Sequence, residues 1–236
     1  MIPVIALFLL AQTPRFDNAK LETRALQAPL GTELARIQGP AWVGYSVPAH
    51  GGRVGNDGCW CDSDTVSVLY RLMQGKVEKV RLASLNCRFD AGGLPVTWLT
   101  GVAPKDSIAF LETQGEKGVT AIALHDDEAA VPALIRLSKT SPDGKTRGQA
   151  LFWMAQRAGD KIAQHITDAI DNDPDTDVKK KAVFALSLMP KDEGVPKLIE
   201  VAKNNRNAAV RKQAVFWLGQ SKDPRAFAFI EDVLTH

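Results

Sequence analysis

Cysteine is scarce in this chain of 236 residues, and none lies in its second half. Cys59, Cys61 and Cys87 confine any disulfide or thiolate chemistry to the first half. Excess charge is missing as well. Lys and Arg number 29 against 27 Asp and Glu, and the net charge is +2. Within 114–236 the balance is 18 against 17. No strong global field therefore draws the protein to nucleic acid or to anionic lipid. Long apolar runs are absent too: the stretch Met1–Ala11 is shorter than the ~20 residues a membrane-spanning helix needs. No G-x-S-x-G, P-loop, H-E-x-x-H or dinucleotide fingerprint occurs. Those absences remove the hydrolase, nucleotide and zinc-protease classes that a sequence can announce. They lead to the expectation that the protein is not an enzyme and needs no metal or cofactor.

A repeat is present instead. Ala150, Ala182 and Ala214 are spaced by 32, as are Phe152, Phe184 and Phe216, and Met154, Leu186 and Leu218. Two further series run Val131, Ala163, Val195, Phe227 and Leu134, Ile166, Leu198, Ile230. A fixed period of this length is the mark of a solenoid, whose units bury their apolar faces only against neighbours. The period divides the second half into 114–145, 146–177, 178–209 and a shortened 210–236, each with two helices. In the third unit, Val178, Ala182, Val183, Ala185 and Leu186 give one amphipathic face, with Asp177 as the expected cap and Pro190 as the stop. Asp192 and Glu193 open the second helix, where negative charge suits the N-terminal end.

The fourth unit, AAVRKQAVFWLGQSKDPRAFAFIEDVL (208–234), resembles the HEAT repeat in the short form of bilin-lyase-like HEAT proteins. The likeness rests on Val210, Arg211, Ala214, Leu218, Gly219, Asp223 and Pro224. The third unit matches with Lys179 and Ser187 at two of those positions, and the second retains Arg147 and Ala150. The resemblance implies an α-solenoid over 114–236 that works through protein–protein recognition.

Residues 14–113 have a different texture, rich in Gly and Pro, and read as a small α+β domain. Strands are expected near 20–26 and 42–47, a short helix at 32–37, and a hairpin whose first strand alternates Val66, Val68, Tyr70 and Leu72. Gln74-Gly75 supplies its turn, and Val77 to Phe89 its return strand. The stretch from His50 to Asp64 is expected to be a loop. An apolar segment 94–102 with a packed Trp98 precedes a helix from Pro104 to Glu112, opened by Asp106. Residues 1–13 read as a secretory signal, with Leu9-x-Ala11 as a partial cleavage site. Export to the periplasm or outside the cell favours a disulfide from Cys59 or Cys61 to Cys87. A Cys₃His site with His50, or a thiol pair, are the other uses of the same residues.

Candidate site residues follow from the repeat register. The second helices of HEAT units line the concave side. One of their exposed columns is Arg136, Asp168, Glu200 and Asp232; its neighbour is Ala133, His165, Lys197 and Phe229. The mixed signs favour a protein or peptide over a phosphate backbone, with Phe229 as the candidate aromatic anchor. Arg147, Lys179 and Arg211 form a basic column that could hold an anion or pair with nearby Asp. Asp171, Asp173, Asp175 and Asp177 lack the Gly and closing Glu of an EF-hand loop. His125, like His165 and His236, is expected at the surface. The resulting expectation is a scaffold or binding protein of the bacterial cell envelope, with no nucleic acid partner. The alternative is an enzyme or accessory factor using Cys59, Cys61 and Cys87.

Overall fold

In a computed structural model, residues 13–50, 53–56, 59–157 and 160–235 are described, the side chains of 53–56, 59–62 and 160–161 excepted. The chain forms two compact units: residues 1–110 with 124–127, and residues 111–123 with 128–236.

The first unit is built on a five-stranded mixed sheet. Its strands are β1 (Arg15–Asp17), β2 (Leu21–Ala25), β3 (Ala41–Pro48), β4 (Arg53–Asn56), β5 (Cys59–Asp62), β6 (Thr65–Met73), β7 (Lys76–Ala83), β8 (Arg88–Asp90) and β9 (Val96–Thr100). The large sheet runs β2-β9-β3-β6-β7, parallel from β2 to β3 and antiparallel beyond. β6 is a central strand, and both of its faces are covered. Val66, Val68, Tyr70 and Leu72 are buried on one face, and Ser67 and Leu69 on the other. The Gly75 backbone has φ +71°, and an added Cβ would lie 2.6 Å from the Ala35 carbonyl oxygen. Only glycine fits that hairpin turn without strain.

One side of the sheet packs Trp42, Leu69, Phe89 and Trp98 into a core. Trp42 and Phe89 meet edge to face at 4.9 Å. Gly44 makes room for this packing, since a Cβ there would lie 2.9 Å from the Trp98 ring. Two helices belong with this unit, α1 (Leu30–Ala35) and most of α2 (Pro104–Glu112). Phe110 of α2 meets the Tyr70 ring at 5.5 Å.

Three sequence expectations are corrected here. The return strand ends at Ala83, not Phe89, because a turn follows in which the Cys87 amide donates to the Ser84 carbonyl. Arg88–Asp90 then forms β8, paired parallel with β1. The stretch from His50 to Asp64 contains the β4–β5 hairpin, so the C-x-C segment lies on a strand. Asp106 sits inside the first turn of α2 and does not precede it.

The second unit is all-helical: α3 (Glu116–Leu124), α4 (Ala130–Thr140), α5 (Gly144–Gln156), α6 (Asp160–Asn172), α7 (Thr176–Leu188), α8 (Lys191–Asn204), α9 (Ala208–Gln220) and α10 (Pro224–Thr235). α5, α7 and α9 begin 32 residues apart and pack in sequence as one layer, which we call A. α4, α6, α8 and α10 form layer B. Ala150, Ala182 and Ala214 are fully buried where the layers meet, as are Met154 and Leu186, with Leu218 1% exposed. The A helices share one cap. Asp143, Asp175 and Asn207 each accept from a backbone amide of the first turn, which satisfies donors that the helix cannot. The cap of α7 is thus Asp175 and not Asp177, which is already helical. Hydrogen bonds from the Thr146 hydroxyl, and from the Thr146 and Lys145 amides, hold the Asp143 carboxyl below the usual carboxylate range.

The last helix breaks the register. At the Val195 and Leu198 positions stand Phe227, which is 60% exposed, and Ile230, which is half-buried. Ala226 and Phe229 are buried in their place. Among the described helices α10 packs on α8 and α9, so only one side of it is covered, and it is turned by about one residue to place Phe229 there.

Candidate functional site

The exposed faces of α4, α6, α8 and α10 carry the expected outer column. Arg136, Asp168, Glu200 and Asp232 are all solvent-exposed. The Arg136 guanidinium makes two bonds to the Glu112 carboxylate, at 2.9 and 2.7 Å, and that contact raises its pKa further. Asp168 accepts from the Asn172 amide at 2.8 Å and lies 3.6 Å from the Lys139 ammonium. Beside this column opens a cleft of about 460 Å³ between α4, α5 and α6. His165, Asp168, Lys139, Ser138 and Asn172 line its mouth, and Arg147 with Asp173 its wall. A cleft with an ammonium, an imidazole, a carboxylate and an amide offers donors and acceptors of both signs. Such a set suits peptide backbone and mixed polar side chains.

The neighbouring column is less accessible. Ala133 is fully buried, and His165 and Lys197 are half-buried. Phe229, expected as an exposed anchor, is 7% exposed, with the Lys203 ammonium 5.6 Å from its ring centre. The turn of α10 described above moves it into the core, so it presents no aromatic surface to a partner.

Arg147, Lys179 and Arg211 do form a column, and each is engaged inside the fold. Arg147 is 8% exposed and holds Asp173 through two bonds, at 2.7 and 3.0 Å. It also donates to the Ser141 and Pro142 carbonyls. Arg211 donates to the Asn205 and Arg206 carbonyls, and Lys179 to that of Asp171. The Ser141, Pro142, Asn205 and Arg206 carbonyls belong to the loops that enter α5 and α9, and that of Asp171 to the last turn of α6. The acidic run is likewise engaged: Asp173 binds Arg147, Asp175 caps α7, and Asp177 pairs with Lys180 at 2.7 Å.

In the first unit, Cys87 is 1% exposed and disulfide-bonded. A buried sulfur in a disulfide is neither a nucleophile nor a metal ligand. The side chains of Cys59 and Cys61, the other two cysteines, lie outside the described residues, and with them falls the question of a Cys₃His site. His50 lies 3.5 Å from Asp126 at the surface.

A group that sequence reasoning missed lies deeper. The Tyr70 hydroxyl meets that of Tyr45 at 2.7 Å, Tyr45 meets Ser107 at 2.6 Å, and Ser107 meets Nε2 of His125 at 2.8 Å. All four residues are at most 1% exposed, so His125 is a core residue and not a surface one. A serine beside a histidine is the pairing of nucleophilic catalysis, but no substrate reaches a pair sealed from solvent. Burial pushes both phenols well above their ordinary pKa. The chain positions 45, 70, 107 and 125 share no spacing, and no motif could have joined them.

Comparison with known proteins locates the repeat. Residues 163–236 match the family model for HEAT repeats, and those residues are HEAT repeats. No curated protein matches the sequence. A similar solved structure is that of the complex of CpcE and CpcF of phycocyanin lyase from Nostoc sp. PCC7120. It has 15% identity and a TM-score of 0.42, and the match covers 55% of this chain and 89% of that one. The expectation that the protein is not an enzyme is corrected by this finding. That structure is of a lyase complex. The likeness assigns no activity to the present chain.

Proposed function

We propose that the protein recognises a protein or peptide partner through the outer face of its B helices, in an interaction or accessory role. One observation carries this: Lys139 of α4 and His165 and Asp168 of α6 line an open cleft of mixed charge beside the exposed column of the B helices. HEAT repeats give it an extended, rigid surface of the kind that solenoids use for binding. Alternating charge there sets orientation and excludes wrong partners more than it adds affinity. The cell envelope is the proposed location. The apolar segment Met1–Ala11 and the disulfide at Cys87 support it, because disulfides persist in oxidising compartments.

The test is a photo-activated cross-linking residue placed singly at Asp168, Glu200 and Asp232, and at exposed control positions of the first unit. The expected outcome is one discrete adduct from the B-helix positions, abolished by Asp168→Lys with Glu200→Lys. Adducts from the control positions alone would move the interface off this face.

A further inference from the structure

The A helices carry a second surface that the B-helix role does not use. Phe152, Phe184 and Phe216 recur at the period of 32, and Trp153 and Trp217 follow the first and last of them. Their rings form one continuous file across α5, α7 and α9. Phe152 stacks on Phe184 at 6.1 Å with an interplanar angle of 16°. Phe184 meets Trp217 at 4.8 Å, and Trp217 meets Phe216 at 5.0 Å. None of these rings is fully buried, and Phe216 is 53% exposed. A groove of about 600 Å³ runs beside them, floored by Phe184 and Trp217 and edged by Lys145, Lys180 and Lys181.

The charge of this layer differs from that of the other. α5 and α9 hold two Lys or Arg each and no acid, and α7 holds three lysines and Asp177. In α4, α6, α8 and α10 acids and bases nearly balance, eight to seven. The near-neutral total thus conceals a basic, aromatic A layer beside a B layer of mixed charge. An aromatic floor accepts rings and apolar side chains; Lys180 is paired with Asp177, and Lys145 and Lys181 are the rim groups that accept carboxylates.

We propose that the A-helix face is a docking groove for an acidic peptide segment carrying aromatic side chains. Single-stranded nucleic acid is the other polymer with rings and negative charge, and two observations weigh against it. The file is already closed ring on ring, so no base enters between its members. Asp143, Asp175 and Asp177 line the same groove, and they repel a continuous phosphate chain. A peptide avoids them by the placement of its carboxylates.

The experiment uses the full chain and fluorescence anisotropy with a labelled peptide of repeated Glu-Glu-Phe. Parallel probes are Lys-Lys-Phe and Glu-Glu-Ala repeats, and oligo-dT. The Glu-Glu-Phe peptide is expected to bind saturably, and more weakly as salt is raised. Lys145→Glu with Lys181→Glu should weaken it about tenfold or more, and Phe216→Ala about threefold or more. Lys145, Lys181 and Phe216 are exposed, and unchanged circular dichroism melts establish that the variants fold. The proposal is overturned if Glu-Glu-Phe does not bind, if the charge variant binds it unchanged, or if any of the other three probes binds as tightly.

Discussion

Arg147→Met should destabilise the helical unit far more than Arg136→Met, although both arginines grip a carboxylate with the same two-pronged geometry. The Arg147–Asp173 side chains are 10% and 5% exposed, and those of Arg136–Glu112 are 55% and 21% exposed. Removing one partner of a buried pair leaves the other charge without compensation, at about 3–5 kcal/mol. Asp173 keeps one bond, from the Asp175 amide at 2.9 Å, which lowers the expectation. Arg147 also leaves the Ser141 and Pro142 carbonyls without its donors, which raises it again. A cost of about 2–4 kcal/mol follows for Arg147→Met, against about 0.2–1 kcal/mol for the exposed pair. The assay is urea unfolding followed at the helical circular dichroism band, with Arg147→Met, Asp173→Asn and the double variant forming a cycle. The double variant should cost much less than the two single variants together, because each single change strands the other residue. Equal costs for Arg147→Met and Arg136→Met, or strict additivity in the cycle, would refute the reasoning from burial.

Leu198, 2% exposed between stacked units, should cost about 2–5 kcal/mol on truncation to Ala, read as a lowered melting temperature; an unchanged one would refute the packing. Tyr45 and Tyr70 are the only tyrosines in the chain, so ultraviolet titration reports on both. Burial raises both folded pKa values; their stabilisation is complete below the unfolded phenol value near 10 and declines as pH rises above it. Tyrosinate absorbance should therefore appear only with alkaline unfolding, and a reversible rise near pH 10 in the folded chain would contradict the buried network. Thiol counting on unreduced, denatured protein should find one reactive cysteine, since one disulfide occupies two of the three; three reactive thiols would remove the bond and weaken the envelope location.

The solenoid was legible because its determinants are local and repeated. A period of 32 in small and large apolar residues sets helix length, inter-layer packing and unit boundaries together. Strands β3 and β6 were legible for a similar reason, since each is a β-branched or aromatic run between turn residues, whereas β9 was read only as an apolar segment. Side-chain partners at long range were not. The cap of α7 was placed two residues late because Asp173, Asp175 and Asp177 all look alike in sequence, and only the entry angle of the chain selects one. The β4–β5 hairpin was hidden by glycines that suggested a loop. Phe89 looked like the end of one long strand, and the Ser84 turn divides it from β7.

The candidate site was legible only in part, and the errors share a cause. Periodicity assigns a position to a face, but exposure depends on what lies beyond that face. Column arithmetic put Phe229 outside and Phe227 inside because it assumed that every unit has two neighbours; α10 is covered on one side and turns accordingly. The same arithmetic treated Phe152, Phe184 and Phe216 as markers of the repeat, as though recurrence meant burial. Yet an internal column needs small or interlocking side chains, as Ala150, Ala182 and Ala214 supply, and a file of phenyl rings is too thick to sit between the layers. Each of these phenylalanines stands two positions after a buried alanine, about 200° around the helix, and so lies on the face turned away from the other layer. Recurrence at a position without a packing requirement then calls for another explanation, and a ligand-facing surface that spans the units supplies one.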